Sequence, residues 1–172
     1  PAELDWDRWL GPAPMTEYRA LAGAPNEVKY WSRTHYDFRW WYEYSGGKLT
    51  DWGAHHVDIA TWGMDKTETG PVSIDPIMVQ HPVPFEDGYP TDPSRYNTTT
   101  AFEIKATYAD GIELTIRHDL VNGILFEGTE GRILVNRGRL TGVPVEELES
   151  NPLPEGILEE TYKGRSLTDH VT

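Results

Sequence analysis

The sequence predicts an α+β fold: one principal helix and a largely antiparallel, open sheet of about five to six strands, with helices on one face. Three observations lead there. Strand-like runs are grouped in the second half of the chain and do not alternate with helices. Two pairs of these runs are joined by hairpin turns: Ala109-Asp110-Gly111 links 101–108 to 112–120, and Gly128-Thr129-Glu130-Gly131 links 124–127 to 132–136. Only one long segment, 49–64, has helical spacing without proline.

Each element has its own signal. Asp5 is placed to cap a single helical turn that Gly11-Pro12 ends. Residues 15–34 read as irregular. Residues 36–44 alternate, with Tyr36, Phe38, Trp40, Tyr42 and Tyr44 on one face and Asp37, Arg39, Trp41 and Glu43 on the other. That period of two predicts a strand whose aromatic face is core. In the principal helix Ala54, Val57, Ala60 and Met64 recur at helical spacing, with Thr50 or Ser45 near its start. Gly53 costs such a helix about 1 kcal/mol relative to Ala, so a packing reason for it is expected. Residues 72–80 read as a strand in which Pro76 marks an edge or bulge. Residues 81–97 carry four prolines and predict a long loop of the kind that often serves as a lid. One helical turn is expected at 145–148, and the tail beyond Tyr162 has no core pattern.

The 172 residues amount to one domain of ordinary size, 1–172, with enough apolar material for a core. Seven Trp and nine Tyr rule out a disordered chain and suit the apolar faces of sugars, although core packing is the commoner use of such rings. The net charge of −13, with no Lys/Arg cluster, argues against nucleic acid and against anionic membrane surfaces. No apolar run approaches the roughly 20 residues of a membrane span. The absence of cysteine removes disulfides, thiolate catalysis and Cys-ligated metals.

The chemistry centres on Asp51-Trp52-Gly53-Ala54-His55-His56-Val57-Asp58. On a helix Asp51, His55, Asp58 and Trp62 form one stripe, while His56 points about 100° away from His55. Three readings fit the stripe. His55 is an acid–base group with a carboxylate one turn away to hold its tautomer. Asp51, His55 and Asp58 are ligands to one cation, without an evident further ligand. Or the stripe is a solvated face with capping acids.

The run Gly46-Gly47-Lys48-Leu49-Thr50-Asp51-Trp52-Gly53-Ala54-His55-His56-Val57-Asp58 resembles the Gfo/Idh/MocA oxidoreductases. Asp5-Trp6-Asp7 with Trp9-Leu10-Gly11-Pro12-Ala13-Pro14 is similar to the entry into their second domain, in a bacterial branch of the family. Phe38-Arg39-Trp40, Asn97-Thr98-Thr99 and Gly128-Thr129-Glu130-Gly131 follow in the family's order. The resemblance implies the C-terminal α/β domain of a two-domain enzyme acting on a sugar, a polyol or a related hydroxy compound. It makes His55 the proton-transfer residue, Asp51 its neighbour at the substrate and Asp58 an acidic position one turn on. His56, a substrate-binding candidate together with Asp58, departs from many members. NAD or NADP is implied as cofactor, bound mainly by an N-terminal Rossmann domain, because no Gly-x-Gly-x-x-Gly turn occurs in these residues. The isolated chain is therefore expected to be inactive.

Lys48 is a further substrate-binding candidate, able to meet a hydroxyl or a phosphate, set against an ordinary solvated lysine. Trp41, with Arg39 beside it, is placed to contact a sugar or a second subunit. The remaining expectations are a homo-oligomer paired through the open sheet face, and a cytoplasmic location or export through a signal outside these residues. A non-catalytic sugar-binding or oligomerisation domain of the same fold is the alternative, and a metal-dependent hydrolase is a third, weaker one.

Overall fold

The computed structural model describes residues 2–18 and 32–162. The chain forms two compact units, Pro1–Val121 and Asn122–Thr172.

The first unit opens with helix α1, Trp6–Leu10. Asp5 caps it as the sequence implies, accepting from Arg8 N at 3.0 Å, and Gly11 ends it at φ +57°, a conformation that favours glycine. Trp6 stacks on Trp9 at 4.8 Å, Trp9 meets the edge of Tyr44 at 5.2 Å, and Leu10 is buried.

Residues 36–44 do not form the expected strand. His35–Trp40 is a 3-10 helix followed by turns. Its backbone bonds are local: Asp37 N to Thr34 O and Trp41 N to Phe38 O at 3.2 Å, then Tyr44 N to Trp41 O at 3.0 Å. Three residues per turn replace the period of two, so the alternation no longer sorts the rings into core and surface. Trp41, assigned to the outer face, is 0% exposed, whereas Phe38 is 39% and Tyr36 63% exposed.

The principal helix is present as α2, Trp52–Gly63, with Ala60 buried. Five strands follow: β1 (Ser73–Gln80), β2 (Phe85–Glu86), β3 (Tyr89–Pro90), β4 (Ala101–Thr107) and β5 (Glu113–Arg117). The sheet order is β1-β4-β5, and β2-β3 is a separate small hairpin inside the predicted loop. The β1 register shifts between Pro76 and Met78, which is where proline interrupts a ladder. The β4–β5 turn closes through Gly111 at φ +87°. Phe102 and Ala106 of β4 are buried, while every residue of β1 is exposed, including Ile74, Ile77 and Val79.

The second unit holds β6 (Ile124–Gly128), β7 (Gly131–Asn136) and β8 (Arg139–Thr141), in that order in one antiparallel sheet. Helices α3 (Val143–Glu146) and α4 (Ile157–Tyr162) follow, with a 3-10 turn, Glu147–Glu149, between them. The strand β8 and the helix α4 have no counterpart in the sequence reading. Three residues are too few for periodicity to register, and β8 depends on a turn in which Asn136 accepts from Gly138 N at 3.0 Å.

The α+β class and the antiparallel open sheets agree with the sequence. The strands are divided, however: eight among the described residues, in sheets of three, two and three, where a sheet of five to six was expected. No helix of the described residues is long and apolar enough to cross a membrane. Most of the irregular stretch 15–34 and the tail beyond Tyr162 lie outside the described residues.

Candidate functional site

The approach to α2 is built around Trp41. Its Nε1 donates to Ser32 O at 2.9 Å, and the Arg33 guanidinium lies 3.7 Å over its ring. Arg33 also pairs with Glu43 at 2.9 Å and donates to Pro93 O at 2.9 Å. Buried Asn97 extends the network, donating to Glu43 Oε2 at 2.9 Å and accepting from Tyr42 N at 2.8 Å. Its own N donates to Trp40 O at 3.1 Å. Segments 32–34, 40–43 and 93–98 are thereby fastened together by groups that satisfy one another.

Burial raises the Glu43 pKa, but hydrogen bonds from Asn97 and Arg33 outweigh it and hold the carboxyl below its ordinary value. A depressed folded value means stability that is present above the ordinary Glu range, about 4.3, and is lost as pH falls through the lowered value. Glu43→Gln is accordingly expected to melt lower than the wild type at pH 7, with the gap narrowing in acid. Thermal melts across that range check it, and a gap that widens in acid counts against the network.

Gly46-Gly47-Lys48 then turns the chain into α2. Gly47 N donates to Arg39 O at 2.9 Å, and Gly47 has φ +66°. A Cβ there would lie 2.6 Å from Oγ1 of buried Thr98. Gly47→Ala is expected to cost about 1–3 kcal/mol, from backbone strain and the clash. Gly53 differs: an added Cβ would meet Leu49 Cδ1 at 3.4 Å, an ordinary contact. The packing reason expected for Gly53 is therefore not found among the described residues. Gly53→Ala should be neutral or stabilising by up to about 1 kcal/mol. Equal denaturation midpoints for the two variants would contradict this contrast.

Asp51, immediately before α2, is half-buried and paired with Arg39 at 2.5 Å. Arg39 is fixed from two more directions, by donation to Tyr36 O at 2.9 Å and by stacking 3.5 Å from the Tyr36 ring. No hydrogen bond joins Asp51 to His55. The carboxylate is oriented by Arg39, and the imidazole of His55 is exposed, with the Trp52 ring 6.4 Å away. Asp58 is exposed one turn on, and Trp62 is partly exposed beyond it. His56 is half-buried, with its ring 5.9 Å from Trp52, so the two histidines occupy different environments. Trp41, expected to face a sugar or a second subunit, has no exposed surface; its ring is core. His118 directly follows β5, and its Nδ1 accepts from Phe102 N at 3.1 Å. His81 packs on Phe85 at 4.2 Å.

Beside this approach lies a cavity of roughly 570 Å³ lined by Trp40, Lys48, Pro82, Arg95, Tyr96 and the threonines 98–100. Lys48 Nζ donates to His118 O at 2.8 Å, which fixes the ammonium at the wall. Arg95 and Tyr96 are not singled out by the sequence reading. Only the Pro-rich character of 81–97, which marks a lid-like loop, hinted at them.

A dinucleotide finds no cradle in these residues. All strand pairs are antiparallel among the described residues, and no Gly-x-Gly-x-x-Gly turn leads from a strand into a helix. Nor does any group of three or more His, Asp or Glu among the described residues converge as a metal site would require. Compared with known proteins, residues 1–157 match the profile described as the oxidoreductase family, C-terminal alpha/beta domain. No curated protein and no solved structure matches the chain.

Proposed function

The chain belongs to the Gfo/Idh/MocA oxidoreductase family as a C-terminal alpha/beta domain, and from that premise we propose that it is the substrate-binding half of an NAD(P)-dependent enzyme. Its substrate is a sugar, a polyol or a related hydroxy compound. His55 takes the hydroxyl proton on oxidation and returns it on reduction. Nicotinamide, bound mainly by a Rossmann domain outside these residues, supplies the hydride chemistry.

The observation that carries this reading is the pairing of an anchored helix start with an exposed imidazole. Arg39 fixes Asp51 at the root of α2, and one turn later His55 is open to whatever faces the helix. A proton-transfer group needs that combination of a fixed backbone and an unencumbered ring. Asp58 and Lys48 are assigned to the substrate's hydroxyls, and half-buried His56 to the wall behind them. The exposed apolar residues of β1 support self-association through that sheet.

The test is an assay of the full-length protein against a panel of sugars and polyols with NAD or NADP, following nicotinamide reduction. Coenzyme-dependent oxidation of at least one hydroxy compound is expected. Sugar binding without any coenzyme-dependent conversion would instead establish a non-catalytic binding domain.

A further inference from the structure

We propose that the cavity at Trp40, Lys48, Arg95 and Tyr96 is an anion-recognising subsite, and that the substrate is a sugar-sized hydroxy compound carrying a carboxylate or a phosphate. Charge is the first ground. The chain has a net charge of −13, so a negatively charged ligand is repelled unless a local patch reverses the sign. Among the described cations of the first unit, Arg33, Arg39, Lys66, Lys105 and Arg117 are each paired with a carboxylate. Arg8, Lys48 and Arg95 pair with no carboxylate of the described residues. Two of those three line the same cavity, and no carboxylate of the described residues lines it with them.

The second ground is how the cations are held. Lys48 is tethered to a neutral carbonyl, His118 O, which fixes its position but leaves its charge and two further N–H donors available. Arg95 is exposed and supplies the planar fork that matches a carboxylate or phosphate. The third ground is the remaining wall. Trp40, Tyr96 and Pro82 give it an apolar surface on which a pyranose face packs. The threonine edge is rigid, because Thr99 is bonded to Tyr42 OH at 2.5 Å and Thr100 to Gln80 O at 3.3 Å. The volume lies within the usual range for small-molecule sites, roughly 300–1,000 Å³.

This inference rests on the oxidoreductase reading only in calling the ligand a substrate, and binding tests it without turnover. The full-length protein is titrated calorimetrically with glucose, glucuronate, glucose 6-phosphate and inorganic phosphate. At least one acidic sugar is expected to bind about tenfold or more tighter than glucose, and the advantage should shrink as salt is raised. The carboxylate and phosphate arms decide which anion is read. Arg95→Gln should weaken the acidic sugar about tenfold and leave glucose within about twofold, and Lys48→Met should weaken the acidic sugar by about tenfold and more than it weakens glucose. Among the described residues Arg95 has no hydrogen-bond or ionic partner to lose, so its variant keeps the fold. Glucose binding as tightly as both acids, inorganic phosphate matching the sugar phosphate, or acid affinity unchanged in both variants overturns the proposal. If the acidic preference holds while the full-length protein shows no coenzyme-dependent turnover, only the oxidoreductase reading fails. If the preference is absent while His55→Ala is inactive, only the subsite fails.

Discussion

Trp41→Ala is expected to destabilise the protein by about 3–5 kcal/mol, lowering its melting temperature by on the order of 10 °C. The ring is wholly buried, so its removal forfeits transfer energy and leaves a cavity. It also strips Ser32 O of its donor and Arg33 of the surface on which its guanidinium rests. Phe38→Ala, at a ring 39% exposed, is expected to cost less than half as much. Chemical denaturation of the two variants measures the difference. The alternation of 36–44 taken as a strand predicts the reverse order, so a costlier Phe38→Ala would restore that reading.

His55→Ala is expected to lower kcat of the full-length enzyme by about 10²–10⁴-fold, the usual contribution of a positioned acid–base group. It should leave the melting temperature within about a degree, since exposed positions away from caps and cores change stability by no more than about 0.5 kcal/mol. His55 is exposed, and among the described residues its ring meets only that of Trp52, which is itself partly exposed. A loss of kcat together with a loss of stability would make His55 a structural residue instead. Asp51 should behave differently. Replacing it frees Arg39, which is three-quarters or more withdrawn from solvent, so both rate and stability are expected to fall.

The helix α2 and the hairpins were legible because periodicity and turn chemistry are local. Ala54, Val57 and Ala60 recur at helical spacing, and Asp110-Gly111 supplies the backbone a tight turn needs. The aromatic run 36–44 was misread because its rings satisfy partners distant in sequence. Trp41 is core on account of Ser32 and Arg33, and the chain around it is fixed by Asn97, which lies 55 residues beyond Tyr42. No short window on the sequence contains the Tyr42–Asn97 pair. The stripe of Asp51, His55 and Asp58 was visible, but Arg39 as the partner of Asp51 was not, because that ion pair depends on the 3-10 turn. Arg95 and Tyr96 were missed for a similar reason: they join Trp40 and Lys48 only where the chain folds back on itself.

We propose that His55 moves the substrate's hydroxyl proton. The most direct test is single-turnover oxidation of the hydroxy substrate by His55→Ala full-length protein as imidazole is added. The rate is predicted to start about 10²-fold or more below wild type and to rise with imidazole, while the wild-type rate stays flat. A variant that matches the wild type before any imidazole is present, or one that stays slow at every imidazole concentration, would contradict it.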